Sequence, residues 1–321
     1  MRRIIQAGLA SLLVTALAGC GGGAGGEENS AGLTEVKVGI VPFSPDAVLF
    51  HAMEEDGIFE KHGLKVTTVP AASPIAISAA MVSGQQQFGF ITTPVLINAN
   101  IAGTGMKCVS PVDGQVSTER DSSVLVAAKD SGIDSLEDFS GKKFAVVQLG
   151  SINRLGAQKL FDDAGVTDVE YLAIPFPQMP QALADGRVDG AVVTSPFSQT
   201  ALDNGAKELA HPSSDIWPGG TIYCFAGTTE YLDGNPDVAK SFQDAMKEAI
   251  LYTKDHEDEV KETLVEQLKL TPEQAQAQII PSNYVPEINT DSIVSIQEEM
   301  ERQGVIDETI DAEEMVWAPA K

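Results

Sequence analysis

Gly84-Gln85-Gln86-Gln87-Phe88-Gly89-Phe90-Ile91-Thr92-Thr93-Pro94 lies over Gly186-Arg187-Val188-Asp189-Gly190-Ala191-Val192-Val193-Thr194-Ser195-Pro196 at an offset of 102 residues. Both segments read Gly, two residues, Gln or Asp, four residues, Thr, Thr or Ser, Pro. Each spells a helix-ending glycine, a short buried strand, a hydroxyl pair and a proline that opens the next helix. A second match, offset by about 107, sets Val38-Gly39-Ile40-Val41-Pro42-Phe43-Ser44 beside Ala145-Val146-Val147-Gln148-Leu149-Gly150-Ser151. A duplicated strand–turn–helix unit predicts two similar α/β lobes.

Outward from the repeat, strand and helix patterns alternate from Val36 to Asn204. Such alternation implies mainly parallel sheets flanked by helices. The last third is helical and acidic. Asn235-Pro236 reads as an N-cap followed by a proline at N1, and Thr271-Pro272-Glu273-Gln274 has capping-box spacing. In open parallel sheets a ligand sits beyond the carboxyl ends of the strands, where helix N-termini offer free N–H groups to an anion. Two facing lobes then present four turns to one cleft: 43–46, 92–94, 150–154 and 194–197.

The candidate ligand-binding residues follow from those turns: Phe43, Ser44, Asp46, Thr92, Thr93, Ser151, Asn153, Arg154, Thr194, Ser195, Phe197 and Tyr223. Arg154 is the only basic side chain in the four turns. It either clamps an anionic ligand or turns outward to a surface ion pair. Asp46 either accepts from a ligand ammonium or ring N–H, or serves the helix dipole. Phe43, Phe176, Phe197 and Tyr223 are the aromatics available to wall the cleft or to pack the core.

The N-terminus is an address. Met1-Arg2-Arg3 precedes an uncharged apolar stretch, Ile4 to Ala18, that is too short to span a bilayer and suits a signal peptide. It ends in Leu17-Ala18-Gly19-Cys20, which resembles the bacterial lipoprotein signal. Residues 1–19 are therefore expected to be removed and Cys20 lipidated, with 20–33 a Gly-rich tether. This predicts an extracytoplasmic protein held to the cell membrane by lipid alone.

Composition narrows the classes. The 321 residues carry 21 Lys and Arg against 46 Asp and Glu, net −25, and the mature chain would stand at 19 against 46, net −27. That charge repels nucleic-acid phosphates and anionic lipid. Apolar residues are 43% and mean hydropathy is −0.01, which suits a folded core. Four scattered His and three Cys give no CxxC, HExxH or HxH spacing, and Walker A and GxGxxG are absent. No metal or cofactor is expected, and no nucleophile–base pair stands out, so no catalytic residue is assigned.

The runs Val38–Ala52 and Gly84–Pro94, Ser135-Leu136-Glu137-Asp138-Phe139-Ser140-Gly141-Lys142-Lys143, and Gly186–Pro196 resemble the substrate-binding proteins of the nitrate, sulfonate and taurine ABC importers. The resemblance runs from about 34 to 317. It implies a two-lobed periplasmic-binding-protein fold of type II, with lobe I at 34–122 plus 221–321 and lobe II at 123–220. It also implies a monomeric receptor that captures a small anion, closes by a hinge and passes the ligand to a permease and its ATPase. A heteroaromatic ligand is the alternative, since thiamine-pyrimidine binders share the group. The pyrimidine-synthesis enzymes of that group carry a Cys-rich iron loop, where this chain has only Tyr223-Cys224-Phe225. The same resemblance sets the strands of Cys108 and Cys224 side by side, leaving a disulfide open.

Overall fold

The computed structural model describes residues 32–42, 47–54, 57–112, 121–267, 269–278 and 287–319. Cys20, the segment before it, and Phe43, Ser44 and Asp46 lie outside the described residues. Ten strands form two sheets: β1 (Thr34–Ile40), β2 (Leu64–Pro70), β3 (Phe88–Thr92), β4 (Met106–Pro111), β5 (Ser123–Ala127), β6 (Lys143–Val146), β7 (Glu170–Ala173), β8 (Gly190–Thr194), β9 (Lys207–Ala210) and β10 (Tyr223–Thr228). Their orders are β2-β1-β3-β10-β4 and β7-β6-β8-β5-β9. The chain thus passes from the first sheet to the second after β4 and returns before β10.

The two sheets have one plan. In the first, β2, β1 and β3 are parallel and β10 runs antiparallel to both β3 and β4. In the second, β7, β6 and β8 are parallel and β5 runs antiparallel to β8 and β9. The odd strand in each sheet is the one that enters directly from a crossing. It arrives from the other sheet and not by a crossover within its own sheet, so nothing requires it to run parallel.

The sequence repeat has a bonding counterpart. Gln87 and Asp189 hold the same position in it. The Gln87 side chain accepts from the Lys37 N–H at 2.8 Å, and Asp189 accepts from the Lys143 N–H at 2.8 Å. Each staples the entry of the repeat strand to its parallel neighbour. Gly84 and Gly186 both sit at positive φ, 73° and 64°, where a side chain would be strained.

Both faces of the second sheet are buried, which explains its unbroken apolar strands. Val124, Val126, Ala191 and Val193 pack on the helix Met179–Ala184, while Leu125, Val192, Phe144 and Val146 pack on Phe139 and Phe161. This is the two-residue period of a strand read on its two sides. The first sheet joins the C-terminal helices in one large core, into which Ile152 and Leu155 of the second lobe are also packed.

Of the two C-terminal helix starts read from the sequence, one is capped as expected. The Thr271–Gln274 capping box forms. Asn235 precedes the helix Pro236–Asp255, but its side chain donates to the Tyr231 carbonyl at 2.9 Å and leaves the helix uncapped by a side chain. Strands β4 and β10 are neighbours, and Cys108 and Cys224 are buried and free. Burial and the adjacent Cys224 push the Cys108 thiol pKa up. The open edge of β4 is covered by the C-terminal segment, where the Trp317 N–H donates to the Cys108 carbonyl at 2.9 Å.

Candidate functional site

A cavity of about 290 Å³ lies between the two sheets at the carboxyl ends of their strands. One wall comes from the first sheet and its turns: Val41, Pro42, Ala71–Pro74, Phe90, Thr92, Val95 and Tyr223. The other comes from the second: Val147, Gln148, Gly150–Asn153, Pro175–Pro177, Thr194 and Phe197. Ser122, at the crossing, also lines it. The described lining holds no charged side chain.

The helix Ile152–Asp163 begins at this cavity. Ser151 caps it, its Oγ accepting from the Arg154 N–H at 3.2 Å and donating to the Gln148 carbonyl at 2.7 Å. The first-turn N–H groups of Ile152 and Asn153 have no intrahelical partner, and the helix dipole adds partial positive charge there. Twelve residues of helix stand behind that end. Across the cavity, Thr92 is 6% exposed, and its Oγ1 is buried with no hydrogen-bond partner among the described residues. A buried hydroxyl without a partner is a destabilising feature that an incoming acceptor relieves.

The two hydroxyl pairs divide their work in the same way. Thr92 and Thr194, the first of each pair, line the cavity. Thr93 and Ser195, expected on the ligand, face the crossings. The Thr93 N–H donates to the Ile222 carbonyl at 2.9 Å and the Ser195 N–H to the Ser122 carbonyl at 2.8 Å. Their hydroxyls donate to the carbonyls of Thr221 and Ala277. Successive residues leaving a strand point to opposite sides, so one of each pair is turned from the cleft.

Arg154 is also placed away from the cavity. Its guanidinium donates to Gln303 Oε1 at 2.7 Å and lies 5.2 Å from the Tyr171 ring centroid. Gln303 in turn donates to the Leu155 carbonyl at 2.9 Å, and Arg302 bridges to Asp162 at 2.8 Å. These contacts tie the helix Ile152–Asp163 to the helix Thr290–Arg302. Of the expected site, Thr92, Ser151, Asn153, Thr194, Phe197 and Tyr223 line the cavity, and Phe176 joins them.

Sequence reasoning passed over Ala71–Pro74, Phe90, Gln148 and the prolines flanking Phe176. The loops after β2 and β7 follow strand carboxyl ends, so the rule that found the other turns reaches them too. Phe90 and Phe88 alternate on one strand, and nothing in the sequence says which faces the cleft. Asp121 steadies the crossing beside Ser122: it accepts from Ser123 N–H at 2.9 Å, Ser214 N–H at 2.8 Å and Ser214 Oγ at 2.9 Å. Burial outweighs these bonds and raises its carboxyl pKa above the ordinary value.

The sequence model of the NMT1-like family matches residues 29–268. The chain belongs to that family. It is 26% identical over 310 residues to a Bacillus subtilis protein named as an aliphatic sulfonates-binding protein, spanning 94% of this chain and 90% of that one. The fold matches the periplasmic aliphatic sulphonate binding protein SsuA of Escherichia coli with a TM-score of 0.74 at 17% identity, over 89% of this chain and 93% of that one. It also matches the periplasmic nitrate-binding protein NrtA of Synechocystis, with a TM-score of 0.71 at 16% identity, over 87% and 84%. The two-lobed α/β architecture is that of periplasmic binding proteins. The Escherichia coli and Synechocystis proteins are both named as periplasmic binding proteins.

Proposed function

We propose that this chain is the solute receptor of an ABC importer, a non-enzymatic protein that captures a small oxyanion in the cleft and delivers it to a permease and its ATPase. The observation that carries the reading is the cavity itself, walled by both lobes at their strand ends and opened on one side by a capped helix N-terminus. Thr92, Ser151, Asn153 and Thr194 are its polar contacts, and Phe197 and Tyr223 part of its apolar wall. Phe43, Ser44 and Asp46 follow Val41 and Pro42 of the lining and belong to the same proposed turn. A ligand touching both lobes has the differential affinity that hinge closure requires.

Lobe I comprises 34–122 plus 221–321 and lobe II 123–220. The mature protein is a monomer beginning at Cys20, lipid-anchored to the cell membrane on its extracytoplasmic face. Titration calorimetry with methanesulfonate, benzenesulfonate and nitrate tests the receptor. Binding of at least one anion, weakened by Asn153→Ala with melting unchanged, supports it; no binding by any anion refutes it. Metabolic fatty-acid labelling tests the anchor, and equal label in wild type and Cys20→Ala refutes it.

A further inference from the structure

We infer that the ligand is an aromatic monoanion, a flat ring bearing one carboxylate or sulfonate, and not a bare inorganic anion. The inference rests on the receptor reading above and adds the chemical class.

Size is the first observation. A cavity of about 290 Å³ holds roughly ten waters at about 30 Å³ each. Nitrate, with four heavy atoms, leaves most of that space empty or wet. Lining chemistry is the second. Phe90 and Tyr223 of the first lobe stack on each other, centroids 5.4 Å apart and planes 20° apart, and both line the cavity. Phe176 and Phe197 line it from the second lobe. Aromatic side chains thus stand on both walls, with Val41 and Val95 also in the lining. Two walls of rings suit a planar apolar body, which gains area burial and ring–ring contact from both lobes at once.

Charge is the third observation. The described lining holds no basic side chain, so a compact negative group there is met by neutral donors. The first-turn N–H groups of the helix Ile152–Asp163 and Thr92 Oγ1, without a partner among the described residues, supply them. Carboxylate and sulfonate share the chemistry required.

The test is a calorimetric panel on the purified wild-type chain: benzoate, benzenesulfonate, benzenesulfonamide, methanesulfonate, nitrate and taurine. At least one aromatic anion is expected to bind tenfold or more tighter than methanesulfonate, nitrate and taurine, and tenfold or more tighter than the neutral sulfonamide. Phe176→Ala should weaken the aromatic anion fivefold or more and leave methanesulfonate within twofold. Methanesulfonate, nitrate or taurine binding as tightly as the aromatic anions overturns the inference and leaves the receptor reading standing. The sulfonamide binding as well as the sulfonate overturns the anionic head. No binding by any anion overturns both. The wild-type panel decides without the variant, should Phe176→Ala fold poorly.

Discussion

Thr92→Val separates stability from binding at one atom. The side chain is 6% exposed, and its Oγ1 has no hydrogen-bond partner among the described residues. Desolvating a hydroxyl without compensation disfavours folding by about 1–3 kcal/mol. Valine keeps the shape and removes the polar atom, so the ligand-free variant should be as stable as wild type or more so, by up to that amount. For a protein of this size each kcal/mol moves Tm by roughly 1–2 °C. Binding should move the opposite way. A hydrogen bond from a hydroxyl to a charged oxygen contributes about 1.5–3 kcal/mol, and losing it raises Kd roughly 10- to 150-fold. Thermal melting of the ligand-free forms, followed by calorimetry with the tightest anion of the panel, measures both. A ligand-free variant that melts several degrees lower would mean the hydroxyl has a structural partner. An unchanged Kd would remove Thr92 from the site.

Arg154→Gln should leave anion affinity within about threefold while removing a hydrogen bond and a ring contact together worth roughly 1–2 kcal/mol of stability; a tenfold loss of affinity would return the guanidinium to the cleft. Gly190→Ala should destabilise by about 1–3 kcal/mol, because a Cβ there would stand 2.5 Å from a Phe139 ring carbon and 2.7 Å from the Val126 carbonyl oxygen. Melting checks it, and a change below about 0.5 kcal/mol, the usual range of a neutral surface change, would sink the packing account. Asp121 should leave a pH signature. Its raised pKa means the folded chain keeps a proton the unfolded chain has released, so its contribution is complete below the unfolded pKa of about 3.9 and is lost as pH climbs through the raised value. The stability of wild type relative to Asp121→Asn should therefore fall as pH rises from about 4 toward neutrality in denaturant titrations. A difference that stays flat or grows over that range contradicts the sign.

The duplicated unit was legible because two copies of one strand–turn–helix junction need the same chemistry at the same step. Gln87 and Asp189 are different residues with one acceptor role, which is why that position reads Gln or Asp. The hydroxyl pairs were half legible. Their recurrence marks a shared turn, yet which member faces the ligand depends on where the crossing segments 122 and 222 run, and those lie far off in sequence. Arg154 was beyond reach for the same reason: Gln303, its partner, is 149 residues away, at the end of a helix whose docking the local pattern does not encode. Strand β9, Lys207–Ala210, was missed because an edge strand of four residues with two exposed charged side chains has no apolar alternation to read.

The acidic chain and the anionic ligand are compatible only if binding is a short-range affair. A net charge of −25 works against the approach of any anion, and exposed charges are screened beyond about 8 Å at physiological salt. What remains inside the cleft is the field of a few oriented dipoles, with no charged side chain in the described lining. Their effect grows as water is excluded, which requires both walls. A ligand that touches one lobe has equal affinity for every lobe arrangement and shifts nothing. Rings and hydroxyls here are shared between the lobes: Phe90, Tyr223 and Thr92 on one side, Phe176, Phe197 and Thr194 on the other. Removing one ring should therefore reduce affinity and closure together. Scattering or a lobe-to-lobe distance probe, read with and without the aromatic anion, should show Phe176→Ala compacting less than wild type at equal occupancy. Equal compaction at equal occupancy would mean that the head group alone closes the cleft.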